Sequence, residues 1–216
     1  MTSRAFKRVR DRLEHWLELA TASQRAEGKQ WYGQARGFAE EVSRAYDLPI
    51  ERVIGVIAAL SPSVYWAANK LQAEALCRAH ADGEDLDAVV LTTYGIQVKK
   101  AHDVLETPAT AVRGVLGRRA FKTQNFYDNM LYPWADTQAV TIDQHIIDAA
   151  GFSDYWVYGA RWCYNLLADA IREIAIKHGM LPCQVQAIIW ITYKELTDSK
   201  HPAERRQAEP EENLPF

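Results

Sequence analysis

The sequence predicts an all-α protein, and three observations carry that expectation. Apolar residues recur at helical spacing through most of the chain, the breaks between these runs are short and punctuated by Pro, Gly or a capping residue, and strand signals are almost absent. The only β-branched clusters are Val89-Val90-Leu91-Thr92-Thr93 and Val140-Thr141-Ile142.

In order along the chain, Phe6, Val9, Leu13, Trp16 and Leu17 mark a first helix. The same period runs from Trp31 to Tyr46, from Val53 to Leu60 and from Trp66 to His80, so the first half reads as four helices. Asp47-Leu48-Pro49 breaks the chain before the third and Ser61-Pro62-Ser63 after it, with Ser63 expected to cap the fourth. A helix near Ile96 to Leu105 follows. Another is expected after Thr107-Pro108, where threonine would cap and proline take the first turn, and another from about Lys122 to Leu131. Ala139 to Ile142 is too short for more than an extended lead-in, after which Asp143 caps a helix that Gly151 closes. Helices over about Ala160 to His178 and Pro182 to Thr197 complete a single unit over residues 1–198. From Ser199 the chain has no apolar period, two prolines and mixed charge, which predicts a mobile tail over 199–216.

The 216 residues suffice for one domain with a real core, and 48% hydrophobic content with seven Trp excludes a disordered chain. A formal charge of -3 excludes a uniformly basic binder, so any nucleic-acid surface must be local. Cys77, Cys163 and Cys183 lack the paired spacing of metal or iron-sulfur sites and read as buried free thiols, with no metal and no cofactor expected. No apolar run approaches the ~20 residues of a membrane span, and no signal-type segment follows Met1, so a cytoplasmic protein is expected.

The candidate chemistry centres on Lys122 and Asp143. A lysine becomes nucleophilic when desolvation or a neighbouring cation lowers a pKa that starts near ~10.4, and Arg118 and Arg119 stand close in sequence. A carboxylate such as Asp143 would stabilise a cationic sugar across the reacting atom, and His145 could hydrogen-bond a phosphate or a carboxylate. Taken alone, the residues favour a structural account: Asp143 as an N-cap, Lys122 as a solvated lysine, His145 as a partly buried histidine. The accounts are compatible, because an aspartate fixed by capping is also preset in orientation.

Other residues fit a nucleic-acid ligand. Tyr65 and Trp66 flank the Ser-Pro turn and offer faces on which a base stacks. Asn125 and Asn129 share a helix face with Lys122, and Gln186, Trp190 and Lys194 share another at four-residue spacing. Lys99, Lys100, Arg113, Arg118, Arg119 and Lys122 form the densest basic stretch, suited to backbone phosphates. Core packing by the aromatics and solvated charges are the competing accounts.

Three segments together resemble the helix-hairpin-helix DNA glycosylase superfamily, which includes the endonuclease III-like and 8-oxoguanine glycosylases. They are Val56-Ile57-Ala58-Ala59-Leu60-Ser61-Pro62-Ser63 with Asn69-Lys70-Leu71-Gln72-Ala73; Tyr94-Gly95-Ile96-Gln97-Val98-Lys99-Lys100-Ala101; and Lys122 followed by Gln138-Ala139-Val140-Thr141-Ile142-Asp143-Gln144-His145. They cover roughly residues 50 to 150. The resemblance implies that Lys122 takes the Schiff-base position and Asp143 the catalytic carboxylate position, with Ser61, Ser63 and Asn69 near DNA. The family hairpin Leu-Pro-Gly-Val-Gly-x-Lys is here Leu116-Gly117-Arg118-Arg119-Ala120-Phe121-Lys122, which keeps one displaced glycine. The family glycines let backbone N–H groups approach a phosphate, a role that Arg118 and Arg119 would have to fill by charge. The Ser-Pro-Ser turn lacks the glutamine that wedges into duplex DNA in similar enzymes, which points to an unpaired, single-stranded or modified base. No cluster-binding cysteine tail is present.

The same departures resemble a viral side branch of the superfamily implicated in building hypermodified thymines. There a glycosylase-like protein replaces a pyrophosphoryl group on 5-hydroxymethyluracil with an amine, which would give Lys122 a phosphate-binding role. A third expectation is a DNA- or partner-binding module that kept the fold without the chemistry.

Overall fold

The computed structural model describes residues 3–152 and 160–198; the expected tail at 199–216 lies outside the described residues. The protein is all-α, with no strand among the described residues. Its helices are α1 (Ser3–Leu19), α2 (Ala22–Tyr46), α3 (Ile50–Leu60), α4 (Trp66–Ala81), α5 (Gly95–Glu106), α6 (Val112–Val115), α7 (Phe121–Leu131), α8 (Gln144–Ala149), α9 (Arg161–His178) and α10 (Pro182–Asp198).

α2 starts well before the apolar period at Trp31. Thr21 accepts from the Gln24 N–H while the Gln24 side chain accepts from the Thr21 N–H, a reciprocal cap that holds a first stretch too polar to show periodicity. It ends at Asp47, which adopts a left-handed conformation. α3 is apolar all round and is buried from Val53 to Leu60, so it forms the centre of one apolar cluster.

Two expected caps are corrected. Ser63 does not cap α4, because Tyr65 occupies that position; Ser63 instead turns at φ +60° and donates to the Tyr94 hydroxyl at 3.0 Å. Thr107 does not start a helix either. Its hydroxyl donates back to the Asp103 carbonyl at 2.6 Å and closes α5, and Pro108 leads into a single 3-10 turn (Ala109–Ala111) and the four-residue α6. α6, the turn 116–120 and α7 make a helical hairpin in which Gly117 has φ +100° and Arg113 clasps Asp128 through two contacts of 2.8 Å.

The apolar residues fall into two clusters. One gathers α3, α4, α5, α6 and α7 with part of α2. The other gathers α1, α8 and α9 with Val140, Ile142 and most of the buried face of α10. α2 packs on α10, and Gly28 permits a close approach, since an added Cβ would lie 2.7 Å from the Ile188 backbone nitrogen. Cys183 and Ala187 belong to the first cluster while Val185, Ile188 and Ile189 belong to the second, so α10 spans the seam between them.

Candidate active site at the seam

The segment between α7 and α8 enters the seam as isolated extended chain. Such a chain has no ladder to satisfy its peptide groups, so other groups must do so. Tyr164 from α9 donates its hydroxyl to the Val140 carbonyl at 2.7 Å and lies 3.4 Å from the Ile142 nitrogen, and Arg172 donates twice to the Gln138 carbonyl at 2.7 and 2.9 Å. Burial raises the Tyr164 phenol to about 12, against the opposing pull of its hydrogen bond with Asn125. It therefore stays a neutral donor. Ala139, Val140 and Ile142 are buried, and Asp143 caps α8 by accepting from the Ile146 N–H at 3.0 Å.

Lys122 and Asp143 each line two adjoining clefts. The first, of about 270 Å³, is lined by Arg119, Phe121, Lys122, Asp143, Arg161 and Tyr164 among others. Three cations thus face one carboxylate on its walls. The second, of about 120 Å³, is lined by the rings of Trp31, Trp66, Phe126 and Trp190 together with Ser61, Asn69, Thr141 and Gln186. Trp31 packs at 5.2 Å from Trp66, 5.9 Å from Phe126 and 5.9 Å from Trp190, so these aromatics form one contiguous wall.

Beneath the aromatic wall runs a buried polar relay. Asn129 donates to the Thr141 hydroxyl at 3.1 Å, and the Tyr32 hydroxyl lies 2.9 Å from Thr141 and 2.7 Å from the Gln186 Oε1. Tyr32 has one proton and Gln186 Oε1 can only accept, so Tyr32 donates to Gln186 and accepts from Thr141. Burial drives the Tyr32 phenol far up, while hydrogen bonds from Thr141 and Asn129 pull the other way and the Asp143 charge adds to the rise.

Lys122 has no hydrogen bond or ion pair among the described residues, and no ion pair within 4.0 Å joins it to Asp143. Of the expected site residues, Ser61, Trp66, Asn69 and Trp190 meet the pair in the aromatic pocket, and Arg119 meets it in the cationic cleft. Arg118 is exposed and lines neither. Tyr65 is exposed under the Lys194 ammonium, 6.0 Å from its ring centre, and that ammonium also sits 5.0 Å over Trp190. His145 packs edge-on against Trp190 at 6.3 Å, and Asn125 holds Tyr164 at 2.8 Å; both support the walls without lining them. In the basic stretch, Lys99 is paired with Asp103 and Arg113 with Asp128.

Arg161, Tyr164 and Thr141 were not expected. Arg161 and Tyr164 reach the site only because α9 packs across the extended segment, and no local signal marks them. Thr141 stood inside the segment from Gln138 to His145, where its alternation with Val140 and Ile142 puts it on the opposite face.

Among the described residues no group of His, Cys, Asp and Glu is arranged to hold a metal ion, and no helix is long and apolar enough to cross a membrane. No curated protein and no solved structure matches the chain. Residues 1–197 match the family described as a family of unknown function, DUF7178, and the chain belongs to that family.

Proposed function

We propose that this protein is an enzyme acting on a base of DNA, with a helix-hairpin-helix glycosylase-like fold and Lys122 and Asp143 as the acting pair. The observation that carries the reading is that these two side chains share the walls of both an aromatic pocket and a cationic cleft. A base stacks in the first, phosphate is attracted to the second, and the bond joining base to sugar lies between them. The hairpin of α6 and α7 delivers Lys122 with Arg119, and the capped entry to α8 delivers Asp143.

In N-glycosidic cleavage the electron pair of the C1′–N bond leaves with the base, which takes up a proton, and the sugar becomes cationic. Asp143 stabilises that cation; its Oδ1 is fixed by the Ile146 N–H. Unprotonated Lys122 forms the Nζ–C1′ bond and loses a proton; the nitrogen lone pair then expels O4′ as the C1′–O4′ bond breaks, O4′ takes up a proton, and the opened sugar is held as a Schiff base. The cationic cleft favours a second reading, transfer onto an activated thymine. There an amine displaces pyrophosphate from the 5-methylene carbon, Asp143 accepts the amine proton, and Arg119, Lys122 and Arg161 hold the leaving group.

Borohydride trapping on single-stranded DNA carrying modified pyrimidines or purines tests the pair. The expected result is a covalent adduct lost in Lys122→Ala, with turnover reduced about 10²-fold or more in Asp143→Asn. Release of pyrophosphate from DNA bearing pyrophosphorylated 5-hydroxymethyluracil, dependent on an added amine, selects the transfer reading. Asp143→Asn with every activity intact, while charge reversal at Arg118 and Arg119 abolishes DNA retention, overturns both in favour of a binding module.

A further inference from the structure

We infer that the aromatic pocket reads the edge of a single pyrimidine ring, with Asn69 as the acceptor and Gln186 as the donor; the inference rests on the base-directed reading above. Asn69 is 1% exposed and lines this pocket. Its Nδ2 donates to the Ile57 carbonyl at 3.2 Å, which fixes the amide, and its Oδ1 is buried without a partner. A buried acceptor left unmade is costly and uncommon in native proteins, so one at the wall of a pocket calls for a donor from a ligand.

Gln186 supplies the complement. The relay from Asn129 through Thr141 and Tyr32 ends on its Oε1, which turns its amide nitrogen to the other side with no partner among the described residues. Two hydroxyls of the wall are committed: that of Ser61 donates to the Ala58 carbonyl at 3.0 Å, and that of Thr141 is used within the relay. Apart from the Asp143 carboxylate, the pocket offers one unpartnered neutral acceptor, Asn69 Oδ1, against donors only: the Gln186 amide nitrogen, the Lys122 amine and the indole N–H groups of Trp31, Trp66 and Trp190.

That inventory matches the hydrogen-bonding edge of a pyrimidine. Uracil and cytosine each present one N–H donor group with two acceptors, whereas guanine presents two donor groups and one acceptor and would set donor against donor. Adenine presents one donor group and one acceptor on that edge and so engages fewer of the pocket's donors than a pyrimidine does, and adenosine is titrated as a further control expected to bind more weakly. A volume of about 120 Å³ among the aromatic rings is below the ~300–1,000 Å³ of pockets that hold drug-sized ligands and suits a single base.

Trp31, Trp66 and Trp190 line the pocket, so tryptophan fluorescence of the full chain reports occupancy directly. Uridine and cytidine are titrated in parallel with guanosine, 3-methyluridine and N4,N4-dimethylcytidine. Saturable quenching by at least one pyrimidine nucleoside is expected, weakened about tenfold when its edge N–H is methylated, with guanosine equally weak. Asn69→Leu, which keeps the volume and removes the acceptor, is expected to erase the preference for the unmethylated nucleoside. The methylated ligands make the same comparison on the unaltered protein, so the test does not depend on the variant folding. Equal quenching by methylated and unmethylated nucleosides, or none by either pyrimidine, overturns the inference. Discrimination that persists alongside failed trapping and failed transfer would sink the proposed chemistry and leave the edge reading standing.

Discussion

At the scale of single residues, the polar relay beneath the aromatic wall is centred on one buried hydroxyl, that of Thr141. Thr141 is 5% exposed and carries two of the three contacts of the relay, so Thr141→Val leaves Asn129 without its acceptor and Tyr32 without its donor. The expected loss is about 1–3 kcal/mol in urea unfolding, larger than the loss of a methyl-sized contact. Glu14 makes a different kind of tie, joining α1 to α9 by accepting from Lys177 and His178 at 2.7 Å each. The hydrogen bond from Lys177 leads in holding its carboxyl below the ordinary 4.5, with His178 adding to it against the cost of burial. A depressed folded pKa gives stability that is present above 4.5 and disappears as pH falls through the folded value. Glu14→Gln is therefore expected to cost about 1 kcal/mol near pH 7, a cost that shrinks below pH 4.5 in denaturant titrations at stepped pH. A pH-independent cost would contradict this account.

At the scale of elements, helix pairing depends on where side chains are missing. Gly28 and Gly37 both lie within α2, and a helix interior prefers Ala to Gly by about 1 kcal/mol. Around Gly37 nothing lies within 4 Å of an added Cβ, so Gly37→Ala should raise stability by roughly 0.5–1 kcal/mol. At Gly28 the same atom would meet the Ile188 side chain at 2.5 Å and its backbone at 2.7 and 2.8 Å, and α10 must move. Gly28→Ala should therefore lower stability by about 1–3 kcal/mol despite the better propensity. Opposite signs in thermal unfolding check the pair. The clash bears on the candidate site, since Gln186 and Trp190 stand on α10 two residues to either side of Ile188 and form part of the pocket wall. If the pocket takes a base as proposed, a displaced α10 should weaken nucleoside quenching along with stability.

At the scale of the whole molecule, two apolar clusters meet at a seam, and the clefts open there because neither cluster fills it. The three thiols report on the integrity of both clusters. Burial raises Cys77 to about 12 and Cys183 to about 11 in the first cluster and pushes Cys163 up in the second. Native protein at pH 8 should react slowly with a thiol reagent at all three positions, and all three should react rapidly in guanidinium. Fast labelling of Cys163 alone would mean that the second cluster opens independently of the first.

The sequence by itself determined the all-α class, most helix positions and the Asp143 cap, because apolar period and capping chemistry are local properties written within one turn. The polar first turns of α2, held by the Thr21 and Gln24 box, were missed because they carry no apolar period, and Ser63 and Thr107 were misassigned as caps because their hydroxyls have distant or upstream partners that a cap rule does not see. Lys122 and Asp143 were legible as motif positions. That they share two clefts, that Tyr164 and Arg161 complete one and that Gln186 is oriented by Tyr32 across 154 residues of chain were decided only by the tertiary structure. The physical reason is that a pocket is made where packed elements fail to fill space, which depends on the relative placement of α2, α7, α9 and α10 and on no single stretch of sequence.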